Sequence, residues 1–119
     1  IDRHLVKQVK QVLVLRIDES LFFGNLRYLD NRINGLLASH PAMEHLVLVA
    51  SGINHVDSSA LQSLLELNTR LDDKGIKMHF SDVKGPVLDR LHRINFADEL
   101  TGTVYLSQHQ AWQDLTQLY

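Results

Sequence analysis

The 119-residue sequence has no cysteine. That excludes a disulfide framework, thiolate catalysis and cysteine-ligated metal centres. Basic excess is missing too: 12 Lys and Arg stand against 14 Asp and Glu, for a formal net charge of -2. A nucleic-acid footprint needs a basic patch or surplus, so a nucleic-acid partner is not expected. No apolar run approaches the roughly 20 residues that cross a bilayer. The opening residues Ile1-Asp2-Arg3-His4 are polar, so no signal peptide is read there. Internal repeats, low-complexity tracts and interdomain linkers are also lacking. The chain starts at Ile1 instead of Met, and the expectation is a piece of a longer protein.

The chemistry-bearing patterns are equally sparse. There is no nucleophile elbow, no Gly-rich phosphate loop and no paired catalytic carboxylate signature, so no enzyme is expected. The seven histidines, His4, His40, His45, His55, His79, His92 and His109, are scattered. None has the i, i+4 spacing of a metal motif. Asp89 and His92 share a helix face, a weak pairing. No metal and no cofactor are expected.

What remains is a soluble globular composition, 45% hydrophobic and 22% charged, on a chain long enough to bury a core. Residues 1–119 read as a single domain, with 1–10 a linker or a ragged first strand. Val12-Leu13-Val14-Leu15-Arg16-Ile17 reads as a strand covered on both faces. Asp18-Glu19-Ser20 turns the chain into a short strand, Leu21-Phe22-Phe23, ended by Gly24, and the pair forms an antiparallel hairpin. Asn25 caps a helix carrying Leu26, Leu29, Ile33, Leu36 and Leu37, stopped by Ser39-His40-Pro41. Glu44–Ala50 is the next strand. A second helix runs from about Ser59 to Asp73, with Gly75 beyond its end. Ile76–Phe80 is a strand. Gly85-Pro86 opens a third helix, whose apolar face is Val87, Leu88, Leu91 and Ile94. Thr103-Val104-Tyr105 is a last short strand. Ser107 with Gln110 forms a capping box for a last helix carrying Ala111, Trp112, Leu115 and Leu118. Trp112 and Tyr119 read as core packing.

The order is β-β-α-β-α-β-α-β-α: an α/β fold with a mixed, mostly parallel sheet, an antiparallel opening hairpin and about four helices. Sequence alone leaves open whether the helices cover one face or both. The expected core includes Val12, Val14, Leu46, Leu48, Leu61, Leu64 and Leu65.

The most informative stretch is Val56-Asp57-Ser58-Ser59-Ala60-Leu61, between a buried strand and a helix. It presents a carboxylate and two hydroxyls at a helix N-terminus, where free N–H groups and the helix dipole favour anions. Ser59 followed by Gln62 fits a capping box, so Ser59→Ala is expected to cost roughly 0.5–2 kcal/mol. Asp57 is an alternative cap. The functional reading is phosphorylation of Ser59 or Ser58, or weak binding of an anion or nucleotide with Asp57 as opposing charge. The same helix offers Gln62, Ser63, Glu66, Asn68, Thr69 and Arg70 away from its leucines. These form a polar surface suited to a reversible protein partner, with Gln62, Glu66 and Arg70 at its centre.

On these residues the chain resembles the STAS domain, the module shared by sulfate transporters and anti-sigma factor antagonists. The likeness runs from about Val12 to Tyr119. It rests on the strand–turn–helix around Asp57-Ser58-Ser59, on Arg16-Ile17-Asp18-Glu19-Ser20-Leu21-Phe22-Phe23-Gly24-Asn25, and on the element order. The second feature is similar to the bacterial SulP anion-transporter branch. That likeness implies a non-catalytic regulatory domain on the cytoplasmic face of the inner (plasma) membrane, within an integral membrane protein. Its implied partners are the membrane domain of the same polypeptide, a cytosolic regulatory protein and a second copy, in a homodimer formed through the parent transporter. The other branch implies a stand-alone anti-sigma factor antagonist. There the second serine of an Asp-Ser-Ser-Gly stretch is phosphorylated, which maps onto Ser59, although Ala60 replaces the Gly.

Overall fold

The computed structural model describes residues 5–18 and 26–119. Its elements are β1 (Leu5–Gln8), β2 (Val12–Asp18), α1 (Leu26–Ser39), β3 (His45–Gly52), α2 (Ser58–Asp73), β4 (Lys77–Ser81), α3 (Gly85–Arg93), α4 (Phe96–Glu99), β5 (Val104–Tyr105) and α5 (Gln108–Thr116). One mixed sheet holds all five strands in the order β1-β2-β3-β4-β5. Among the described residues only β1–β2 is antiparallel; the other three pairings are parallel.

An antiparallel pair is present at the N-terminal side. It joins residues 5–8 to β2, so the ragged-strand reading of the first residues is the right one. The turn is closed by Val9 N–H donating to the Val12 carbonyl at 2.9 Å. The expected strand Leu21-Phe22-Phe23 and the Asn25 cap lie outside the described residues. Phe96–Glu99 is a helical turn that periodicity over so few residues does not reveal. It places Phe96, fully buried, edge-on to Phe80 at 5.7 Å between ring centroids.

The strand order settles how the sheet is covered. Each parallel strand lies beside its chain predecessor, so right-handed crossovers place α1, α2 and α3 on the same face. Leu29 and Ile33 of α1, Leu61, Leu64, Leu67 and Leu71 of α2, and Val87 and Leu91 of α3 are buried there. They pack against Leu13, Leu15, Ile17, Leu46, Leu48, Met78 and Phe80. Among the described residues the opposite face belongs to α5, where Ala111 and Leu115 cover Val12, Val14, Val47 and Val49. Leu65 is only half-buried, at the margin of the larger core. Ile94, Leu118 and Tyr119 are 45%, 63% and 53% exposed, against the reading that placed them on apolar faces or in the core. Leu118 and Tyr119 fall beyond the last helical residue, Thr116, so helical periodicity no longer governs where they point.

Two glycines are required by geometry. Gly75 ends α2 with φ +77°: its N–H bonds the Asp72 carbonyl at 2.9 Å, and Ile76 N–H bonds that of Leu71 at 2.9 Å. This is the Schellman arrangement that a Cβ would strain. Gly102 lies against β4, where a Cβ would sit 2.3 Å from the Met78 carbonyl oxygen and 2.5 Å from His79 Nδ1.

Candidate functional site

β3 is buried along His45–Ala50 and then leaves the core, with Ile53 and Val56 still buried as anchors. Between those anchors and the apolar face of α2, Asp57, Ser58 and Ser59 are all exposed. The turn is thus held from both sides while its three polar side chains face solvent.

The cap is Asp57, not Ser59. Its backbone is extended (φ -90°, ψ 172°), and its carboxylate accepts from Ala60 N–H at 2.8 Å. The first helical bond runs from Leu61 N–H to the Asp57 carbonyl at 3.1 Å. Three cap-competent residues stand in a row here, and the ionised acceptor prevails because it also answers the helix dipole. Ser59 is therefore released from the capping role, and among the described residues its hydroxyl makes no hydrogen bond. The other capping box is present: Ser107 Oγ accepts from Gln110 N–H at 3.1 Å. The Gln110 side chain returns to Leu106 N–H at 3.2 Å, one residue before the cap.

Ser58 has a partner that sequence reading missed. Arg90 of α3 donates from Nη2 to Ser58 Oγ at 3.0 Å, across 32 positions of chain. The Nε of Arg90 is buried and has no hydrogen-bond partner among the described residues. Lys84, just before α3, donates to Asn54 Oδ1 at 2.5 Å. One crossover therefore sends Arg90 to the serine turn and Lys84 to the loop that leads into it. No spacing in the sequence could announce this, because only the neighbouring of α2 and α3 brings them there. An anion arriving at the turn meets Arg90 as attraction and Asp57 as repulsion.

The polar side of α2 departs in part from expectation. Gln62, Glu66, Thr69 and Arg70 are exposed and Ser63 is half-buried. Arg70 is ion-paired with Asp30 of α1, so it ties two helices together. Asn68 is not on the surface: it is 4% exposed. Its amide donates to the Glu99 carbonyl at 3.1 Å. Its carbonyl oxygen accepts from Thr101 N–H at 3.2 Å and Thr101 Oγ1 at 2.9 Å. The helical wheel put Asn68 outside because it is polar; the segment after α4 covers it.

The histidines are not all scattered. His45 and His79, 7% and 3% exposed, meet on the α5 face with Nδ1 of the first 3.0 Å from Nε2 of the second. Alternation on β4 explains it: Met78 and Phe80 enter the large core, while His79 and Ser81 point the other way. Burial lowers the pKa of both rings, that of His79 to about 4. Beside them, Tyr105 donates to Asp114 of α5 at 2.5 Å, and burial followed by that bond pushes the phenol up to about 12. Among the described residues no group of three or more His, Cys, Asp or Glu could hold a metal ion. No helix there is long and apolar enough to cross a membrane.

Comparison with known proteins adds the following. The family model described as the STAS domain matches residues 4–111. Sulfate transporter 3.1 of Arabidopsis thaliana is 24% identical over 109 residues, covering 84% of this chain and 17% of its own length. The chain thus spans about one sixth of that relative. Among solved structures, a sulfate transporter family protein from Wolinella succinogenes matches with a TM-score of 0.71 at 19% identity, over 96% of this chain and 93% of that one. A chain of the stressosome, titled a signal integration and transduction hub, matches with a TM-score of 0.73 at 20% identity, over 94% and 96%.

Proposed function

We propose, from the premise that this chain belongs to the STAS domain family, that it is the non-catalytic regulatory and protein-interaction domain of a SulP-type transporter of sulfate-like anions. In this reading it works at the cytoplasmic face of the membrane, next to the membrane domain of its own polypeptide. The observation that carries the reading is the size relation with the sulfate transporters. Most of this chain matches, yet it corresponds to only 17% of the Arabidopsis relative. A module of that proportion suits control of a pore formed elsewhere. The anion-facing chemistry then belongs to the membrane domain. This module contributes an exposed turn on a rigid support, the kind of place where binding functions concentrate.

The docking surface in this reading is the serine turn together with Gln62 and Glu66 of α2; Arg70 braces it through Asp30. A phosphate on Ser58 or Ser59 would add nearly two negative charges next to Asp57. On Ser58 it would also meet the guanidinium of Arg90. The test is sulfate uptake by cells carrying the full-length parent protein, with Ser59→Asp and Glu66→Arg compared with the unaltered chain, and capture of cytosolic partners in parallel. Altered uptake or a lost partner at normal protein levels is expected. Unchanged uptake and an unchanged partner set in both variants would place the docking surface elsewhere.

A second reading is supported by one likeness: a chain of the stressosome, a signal integration and transduction hub, shares this fold over 96% of its length. The chain would then be a stand-alone anti-sigma factor antagonist, with Ser59 the switch. The Ser59 hydroxyl, freed from capping by Asp57, is compatible with that role. Ala60, where that branch has Gly, is the departure that speaks against it. The gene itself discriminates the two, because a transporter requires a series of apolar stretches of about 20 residues in the same reading frame.

A further inference from the structure

The α5 face of the sheet carries a buried proton-binding unit that the regulatory reading does not use. Thr103 N–H donates to His79 Nδ1 at 2.9 Å. That ring nitrogen is therefore the acceptor, and the proton of neutral His79 resides on Nε2. Nε2 faces His45 Nδ1 at 3.0 Å, so His45 accepts there and carries its own proton on Nε2. One backbone donor thus sets both tautomers in series. The rings of His45 and His79 lie 5.2 Å apart, with Tyr105 5.7 Å from His79 and Tyr119 6.2 Å from His45.

Neither ring has room for a second proton. Protonating His79 at Nδ1 turns it against the Thr103 N–H. Protonating His45 at Nδ1 turns it against the His79 Nε2–H. Each event replaces a hydrogen bond by two facing donors. The titratable groups around the pair do not offset this. Glu44 precedes β3 and Lys77 opens β4, and they oppose one another at His45. From α5 comes Asp114, already held by the Tyr105 hydroxyl, and from β5 Tyr105 itself. Tyr119 completes the surround.

We infer that the His45–His79 pair is an acid-sensitive latch on α5 acting through β5: proton uptake by the pair turns a ring nitrogen against Thr103 N–H, displaces the neighbouring Tyr105 with its bond to Asp114, and so releases the last helix while the layer of α1, α2 and α3 stays folded. The attachment is asymmetric enough for this. The larger cluster draws on three helices, whereas α5 holds its face with Ala111, Leu115, half-buried Trp112 and the Asp114 bond. Lys7 lies over the Trp112 ring, 5.5 Å from its centroid, as a further tie. The sign follows from the neutral docked state. Burial holds the His79 pKa at about 4, below its ordinary value of 6.5. The released state binds more protons between those values, so docking is intact at neutral pH and weakens as pH falls from 6.5 towards 4. What the release uncovers is the stripe Val12, Val14, Val47 and Val49, an apolar surface present only in acid.

Trp112, the chain's single tryptophan, reports the event directly. Its emission is followed on the 119-residue chain from about pH 7.5 to about pH 4, with amide hydrogen exchange read in parallel. The expected result is a red shift of Trp112 and loss of protection in α5, with β3 and β4 still protected. His45→Asn keeps an acceptor for His79 Nε2–H but removes one titrating ring, and should lower the midpoint by about one pH unit. His45→Asn with His79→Asn, whose Oδ1 still accepts from Thr103, should abolish the transition in this range. A sheet that loses protection together with α5 would overturn the latch. So would an unshifted midpoint in folded His45→Asn, the decisive variant if the double one fails to fold.

Discussion

Replacing Asp57 by alanine probes the serine turn at its root. The variant loses the carboxylate that accepts from Ala60 N–H at 2.8 Å and leaves that N–H to water. Losing an N-cap costs about 0.5–2 kcal/mol. Asp57 is exposed, so the lower half of that range is expected for the hydrogen bond alone. The charge adds about 0.3–1 kcal/mol, because a carboxylate at the first turn opposes the positive end of the α2 dipole. Asp57→Ala should therefore destabilise the chain by about 1–2 kcal/mol. Asp57→Asn retains an acceptor and should lose only the charge part. Ser59→Ala should be close to neutral, since its hydroxyl holds no helical N–H. Urea unfolding by far-UV circular dichroism measures all three, and at this size about 1 kcal/mol moves the thermal midpoint by roughly 3–5 °C. The assignment fails if Ser59→Ala costs as much as Asp57→Ala, for then the serine is the cap in solution. A neutral Asp57→Ala would refute it equally.

Three further outcomes follow from the packing. Leu64→Ala, at a site 4% exposed between α2 and the sheet, should cost about 2–5 kcal/mol in the same urea assay. A loss under about 1 kcal/mol would mean that the site collapses around the missing atoms. Gly102→Ala drives a methyl to within 2.3 Å of the Met78 carbonyl oxygen, and should cost about 2–4 kcal/mol as the segment lifts and the Thr103–His79 bond stretches. Calorimetry checks the cost, and the His79 ring shifts in NMR check its cause. Asn68→Ala leaves Thr101 N–H and the Glu99 carbonyl without their partner and should cost about 2–4 kcal/mol. Asn68→Asp keeps the acceptors but loses the donor to Glu99, and hydrogen exchange at Thr101 should fall between the two.

Local periodicity carried most of the architecture. The leucines of α2 and the apolar runs of β2 and β3 repeat often enough to override noise, and Pro86 and Gly75 mark helix ends by chemistry alone. Legibility failed where partners come from afar. β1 reads as mixed polarity; its pairing with β2 is what makes it a strand. At Asp57-Ser58-Ser59 three good caps in succession left the helix start ambiguous by two residues, and only the position of Ala60 N–H decides it. Arg90, Lys84 and the histidine pair were invisible for a different reason. Their neighbours lie about thirty positions away in the chain, at distances set by sheet order and register. Asn68 misled because polarity was taken as exposure, whereas its three hydrogen bonds make burial tolerable.

The strand order β1-β2-β3-β4-β5 also bears on how the chain is made. Each strand emerging from the ribosome finds its partner already synthesised, so the sheet can grow in register from the N-terminal side without waiting for distant segments. The layer of α1, α2 and α3 closes along with it, one crossover at a time. The opposite face cannot close until residues 108–116 are made, since among the described residues α5 is the helix that covers it. Throughout synthesis of β3, β4 and the third crossover, the stripe Val12, Val14, Val47 and Val49 is bare on a nearly finished sheet. That stripe is where a holding chaperone would be expected to bind the nascent chain, and a ribosome stalled before residue 108 should present it permanently.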